Sequence, residues 1–187
     1  TILKWKVTEW IRGKSMDTCI REMTKSDIPI VQDIARESWH DTYEGIIPID
    51  IQDRFLNSAY HRRNMKRRLK QSHIFVAEVK GKVVGFANYS PVSKDRSVEL
   101  GAIYLYPAYQ GQGLGTKLLI AGVEKLKPEK IYLYVEKNNV KGMRFYQARG
   151  FKKVKEFEDE LYGHPLQTVQ MVLEINEMEN QSRKAEL

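Results

Sequence analysis

The sequence predicts a mixed α/β domain with a glycine-rich loop at its centre. Three observations carry that expectation. A strand-like run near the start leads into a long amphipathic helix, and β-branched and aromatic runs flank a short glycine turn near the middle. Between Ser97 and Val135, a strand, a glycine loop, a helix and a second strand then follow in order.

Taken in order, "TCIREMT" alternates as a strand does, and Thr24 or Ser26 then stands ready to cap a helix with apolar residues at Ile30, Ile34 and Trp39. The turn-rich "YEGIIP" breaks it. Two more helical stretches run from about Ile49 to Ala59 and from about Tyr60 to Lys70. "HIFVAEV" and "VVGFANYS" around "KGK" read as an antiparallel hairpin, and "SVELGAIYLY" adds a further strand. After the glycine loop, "GTKLLIAGVEKL" places Leu118, Leu119, Val123 and Leu126 on one helical face, and Pro128 stops it. A crossover helix of that kind sets "IYLYV" parallel to the strand ending near Tyr106. A helix from about Asn139 to Arg149 ends at Gly150, a good left-handed cap, and two strands follow near Phe151 to Phe157 and Thr168 to Leu173.

The 187 residues, 42% of them apolar, fit one domain over 16–175, with an extension of uncertain status over 1–15 and a polar, fraying tail over 176–187. No run approaches a membrane span and no signal pattern opens the chain, so a cytoplasmic protein without membrane partners is expected. The single Cys19 excludes an internal disulfide and reads as a buried thiol. His40, His61, His73 and His164 lack metal-ligand spacing, so no metal is expected and the histidines read as solvated or capping. The net charge of +7 suits any polyanionic ligand. Much of it lies in "HRRNMKRRLK", where Arg62, Arg63, Lys66, Arg67, Arg68 and Lys70 read as a solvated helix face, with an anion-binding surface as the alternative. Specific nucleic-acid binding is not expected.

"YPAYQGQGLGTKLL" sets Gly111, Gly113 and Gly115 at alternate positions before a helix. Glycine lets a ligand approach the main chain, and the helix start offers unpaired N–H groups with partial positive charge, so a phosphate is the favoured ligand. A Walker loop is excluded because Gly115 is followed by Thr116 and then Lys117, and the dinucleotide pattern would need glycine where Thr116 stands.

Gln110, Gly113 and Gly115 instead fit Q/R-x-x-G-x-G/A, and "NVKGMRFYQARGF" fits N-x-x-A-x-x-F-Y-x-x-x-G-F through Asn139, Phe145, Tyr146, Gly150 and Phe151, with Gly142 in place of alanine. The chain resembles the GNAT N-acetyltransferase superfamily over about residues 18 to 174. That resemblance implies a central, mostly antiparallel twisted sheet flanked by helices, with one splayed parallel strand pair at the acetyl-CoA site.

It also implies roles for particular residues. The backbone of Gln110, Gly111, Gln112, Gly113, Leu114, Gly115 and Thr116 would hold the pyrophosphate of acetyl-CoA. The strand through Ile103, Tyr104 and Leu105 would pair with the pantetheine arm, and Asn139 would contact the cofactor or fix its turn. Glu99, eleven residues before Gln110 (110 − 99), stands where some members carry their general base. Tyr146 matches the tyrosine that commonly protonates the CoA thiolate.

The segment that usually walls the acceptor site offers Trp39, Tyr43 and Glu44 as an aromatic and acidic lining for a cation, and it is similar to the same part of bacterial polyamine acetyltransferases. A small-molecule amine, polyamine-like, is the first expectation for the acceptor, and a protein N-terminus or lysine the second. No covalent enzyme intermediate is expected, since no suitable nucleophile stands beside the loop. An acyl-CoA sensor and a basic nucleic-acid module are the readings from other classes, and a homodimer is among the expected partners.

Overall fold

The computed structural model describes residues 17–175, so the predicted extension over 1–15 and the tail over 176–187 lie outside the described residues. The elements are β1 (Thr18–Glu22), α1 (Ile28–Tyr43), α2 (Ile49–Ala59), α3 (Arg62–Gln71), β2 (His73–Val79), β3 (Lys82–Tyr89), β4 (Ser97–Leu105), α4 (Leu114–Leu126), β5 (Lys130–Glu136), α5 (Val140–Gln147), β6 (Lys152–Leu161) and β7 (His164–Glu174).

One seven-stranded sheet carries them in the order β1-β2-β3-β4-β5-β7-β6. Every neighbouring pair is antiparallel except β4 with β5, as the helical crossover α4 requires. The two faces are covered differently. Helices α1 to α3 cover β2, β3 and β4 on one side, around Ile34, Trp39, Leu56, Met65 and Phe86. On the other side α4 packs Leu118, Leu119 and Leu126 against Val98, Ile131, Leu133 and Met171.

Local sequence explains the main boundaries. Thr24 and Asp27 form a capping box over a 3-10 turn, and α1 follows with Pro29 in its first turn, where the missing N–H costs nothing. Buried positions Ile28, Val31, Ile34, Ala35 and Trp39 trace the predicted apolar stripe, with Ile30 at its margin. The hairpin turn between β2 and β3 places Lys80 and Gly81 both at positive φ (50° and 75°), the mirror-image turn whose twist suits an antiparallel pair.

Two expectations change. Cys19 is exposed: β1 is an edge strand, and Thr18 and Ile20, on the opposite face, are the residues turned toward α4. The last two strands are longer than their apolar runs, because Tyr162 and Gly163, at φ 49° and 84°, close a tight hairpin through a polar stretch. No helix of the described residues is long and apolar enough to cross a membrane.

Candidate active site

The site is built where β4 and β5 part. Their ladder contains only Ser97 with Lys130, Val98 with Ile131 and Glu99 with Tyr132. Beyond Glu99, β4 stays paired with β3 as far as Leu105, while β5 stays paired with β7 as far as Glu136. The β4 edge through Ile103, Tyr104 and Leu105 therefore faces an opening with no strand partner. A register shift at Asn88 and Tyr89 inserts Gly101 as an extra residue and re-aims β4 just after Glu99.

At the open end stands the glycine loop. Gly111 and Gly113 have φ of 73° and 81°, conformations that side chains disfavour, and a Cβ on either would meet nothing within 4 Å. Gly113 caps α4, whose first intrahelical bond runs from Lys117 N–H to the Gly113 carbonyl at 3.1 Å. The N–H groups of Leu114, Gly115 and Thr116 lie before that bond and are free of intrahelical partners by helix geometry. Gly115 has another job: a Cβ there would lie 2.8 Å from Phe145 Cε2, so its bareness seats α4 against α5. Arg149 donates to the Thr116 hydroxyl through Nε at 2.9 Å and Nη2 at 2.7 Å, and it lies over the Phe145 ring. A pyrophosphate suits this cradle, since it offers N–H groups without intrahelical partners and open space over two glycines.

The third component is a group of phenols. The Tyr146 ring packs edge-on against Phe145 and Phe151, with centroids 5.4 and 5.5 Å away. Burial, with smaller contributions from the neighbouring Tyr104 and Tyr89, pushes its pKa up, so it is protonated at neutral pH. Burial likewise pushes Tyr43 up, and Tyr104, Tyr146, Glu136 and an Asn139 contact surround it. Asn139 Oδ1 accepts from the Gly142 N–H at 2.9 Å and caps α5. A Cβ at position 142 would lie 2.7 Å from Asn139 Nδ2, so the alanine of the related motif would require the Asn139 amide to shift.

The predicted acceptor residues divide. Tyr43 joins Asn139, Tyr104 and Tyr146. Trp39 is 7% exposed, stacked on Phe55 at 4.2 Å, and its buried indole N–H lacks a partner of full hydrogen-bond geometry, although the Tyr104 hydroxyl lies beside it. Glu44 is exposed at the end of α1, on an open concavity of about 780 Å³ that His40, Ile46, Gln52 and His164 also line. His164 comes from the β6–β7 hairpin, and its Nε2 lies 3.2 Å from the Ile46 carbonyl.

Two residues at the opening escaped sequence reasoning. Tyr132 lies beside Glu99, and burial first, then that carboxylate, pushes its pKa up. Glu136 is 7% exposed and accepts from both the backbone and side-chain N–H groups of Asn138. Each sits in the β5 run, where alternation could signal them only once the point of strand separation was known. Among the described residues, no group of three or more His, Cys, Asp or Glu could hold a metal ion.

Comparison with known proteins agrees with this architecture. The model of the "Acetyltransferase (GNAT) family" matches residues 31–151. The uncharacterized N-acetyltransferase YuaI of Bacillus subtilis is 34% identical over 157 residues, covering 80% of this chain and 89% of that protein. Spermidine N(1)-acetyltransferase of Thermoplasma acidophilum is 28% identical over 142 residues, covering 71% of this chain and 87% of its own. Among solved structures, the PaiA N-acetyltransferase of Thermoplasma acidophilum in complex with coenzyme A matches with a TM-score of 0.75 at 23% identity, over 84% of this chain and 98% of that one, a likeness of fold. Together the family match and the YuaI likeness place this chain in the GNAT acetyltransferase family, as an acetyl-CoA-dependent N-acetyltransferase.

Proposed function

We propose that the acceptor is a primary amine of a small, polyamine-like molecule, which attacks directly in a ternary complex. The carrying observation is that the β4–β5 ladder ends at Glu99, so a carboxylate stands at the apex of the opening while Tyr146 and Tyr43 lie within the same region. The spermidine acetyltransferase relative supports the substrate class.

Acetyl-CoA supplies the activated acyl group. An ammonium of pKa about 10 must lose its proton before attack, a cost of about 4 kcal/mol at pH 7. Glu99 takes that proton, directly or through water. As the new C–N bond forms and the C–S bond breaks, the Tyr146 hydroxyl supplies a proton to the sulfur and regains one from solvent. The backbone N–H groups of Gly111 to Thr116 hold the pyrophosphate, while that of Gln110 donates to the Pro107 carbonyl at 3.2 Å and closes the turn before the loop, and the free β4 edge through Ile103, Tyr104 and Leu105 aligns the pantetheine. Tyr43 and Glu44 line the approach of the cationic acceptor, and Trp39 supports Tyr43, its ring centroid 4.6 Å away.

Free-thiol release from acetyl-CoA, measured against polyamines, aminoglycosides, amino acids and peptides, tests the assignment. Turnover with polyamines well above the rest is expected. Preferential turnover of peptides would replace the small amine by a protein N-terminus or lysine, and tight CoA binding without any turnover would favour a sensor.

A further inference from the structure

Two contacts join the end of α1 to the start of α5 beside the β4–β5 opening. Tyr43 meets Asn139, and Lys141 Nζ pairs with Asp41 Oδ2 at 3.0 Å. The second contact is open to water, with the Lys141 side chain 68% exposed and that of Asp41 32%. Water screens such a pair and a long side chain must be held in one geometry, so the paired form is favoured by no more than about fivefold. Another ammonium group can therefore take the place of Lys141 at little cost.

The surroundings of Asp41 suit that replacement. It lines the concavity of about 780 Å³ together with Ile46, Pro48 and the well-exposed Ile49, so a carboxylate stands beside an apolar wall. Gln52, 1% exposed, lines the same space. Its Nε2 donates to the Tyr43 and Ile47 carbonyls at 3.2 and 2.8 Å, and its Oε1 lacks a hydrogen-bond partner among the described residues. Methylenes between ammonium groups match this alternation of apolar surface, carboxylate and spare acceptor. Tyr43, on the same helix end as Asp41, reaches Asn139 and neighbours Tyr146, so the concavity and the reaction opening share a wall.

We propose that Lys141 is an internal competitor that sets acceptor specificity, its ammonium holding the place at Asp41 that the second ammonium of the acceptor takes. The inference rests on the polyamine-like reading of the acceptor. A monoamine held at Glu99 has no second charge to offer. A polyamine held there presents its next ammonium at an effective concentration on the order of millimolar, enough to exchange with a weakly held lysine. Removing Lys141 tightens such a ligand by one plus the ratio of paired to unpaired lysine, or about two- to sixfold.

Calorimetric titration of spermidine into the full chain saturated with coenzyme A reads the exchange without turnover, and thermal melting checks that each variant folds. Lys141→Gln should tighten spermidine by about two- to sixfold, whereas Asp41→Asn should weaken it by about threefold or more. A contact that only ties α1 to α5 would move both variants the same way. In the Asp41→Asn background, Lys141→Gln should change the affinity by less than about 1.5-fold, which separates competition at Asp41 from a general fall in positive charge. Lys141→Gln that binds no tighter, Asp41→Asn that binds no weaker, or a Lys141→Gln gain that persists without Asp41 would each overturn the proposal. Free-thiol release with spermidine then tells the two readings apart. Acetylation of spermidine with no opposed response of the two variants sinks the competitor alone, and opposed responses without acetylation keep Lys141 as a competitor at a polyamine site while removing the acceptor reading.

Discussion

Tyr146 and Glu99 carry the proposed proton movements in opposite senses, and each can be separated from packing. The Tyr146 ring is fixed by Phe145 and Phe151, so Tyr146→Phe keeps the contacts and removes only the hydroxyl. Turnover should fall by about 10²-fold or more with acetyl-CoA affinity within a few-fold of wild type, the range of general acid–base groups. Steady-state rates with calorimetric binding check it, and undiminished turnover would leave Tyr146 a packing residue. Glu99→Gln keeps size and hydrogen bonding, so its loss should be deepest near neutral pH and shrink as the pH approaches the acceptor's own pKa, where solvent supplies neutral amine. Rates from about pH 6 to 10 at saturating acetyl-CoA decide this; a profile parallel to wild type would move the base elsewhere.

At the scale of elements, what could be read in advance was whatever a local period or a turn residue encodes. The α1 stripe, the "KGK" hairpin and the α4 face all rest on such signals, and the loop was marked by its glycines. The distinct uses of those glycines were not legible. Gly113 needs positive φ, whereas Gly115 needs nearness to Phe145, a residue thirty positions later (145 − 115) in the chain. The same holds for Trp39 and Tyr43, alike in the sequence, of which only Tyr43 reaches Asn139. The extent of β6 was hidden because an edge strand with little buried surface need not show alternation. Two glycine substitutions test these distinctions. Gly113→Val forces a branched residue to φ 81° and fills the space over the loop, so acetyl-CoA binding should weaken sharply in a folded protein, as calorimetry would show. Gly122→Ala instead acts on stability: its Cβ would lie 2.3 Å from Cζ of Tyr89, which is 0% exposed. Helix propensity would favour alanine by about 0.5–1 kcal/mol. Overpacking opposes it by about 1–3 kcal/mol, so a net loss of up to about 2.5 kcal/mol in denaturant unfolding is expected, with the sign set by the immobile ring.

Across the whole molecule, the helical layer is tied to the sheet edge by one partly buried charge cluster. Arg21 on β1 donates to both Asp27 oxygens at 2.8 and 2.9 Å and to Glu78 Oε1 on β2 at 2.7 Å, while the Thr24 N–H donates to Asp27 at 2.7 Å. The cluster therefore fixes β1, β2 and the turn that launches α1, the helix carrying Trp39 and Tyr43. The Arg21 hydrogen bond is the largest influence on Asp27; burial opposes it and Thr24 assists, and the outcome is a carboxyl held down from 3.8 to about 2. A depressed carboxyl stabilises the fold above its unfolded pKa and loses that contribution as pH falls through the folded value, so the window here runs from about pH 4 down to 2. Depression of that size corresponds to about 2 kcal/mol. Asp27→Asn should accordingly be less stable than wild type at pH 6, and the two unfolding free energies should converge as pH approaches 2, because protonated Asp27 makes no ion pair either. Urea unfolding of both proteins at pH 6, 4, 3 and about 2.5 follows the gap directly. A gap that stays constant with pH would mean that Asp27→Asn costs stability through shape or capping alone, and that the ion pair with Arg21 contributes nothing to holding the helical layer against the sheet.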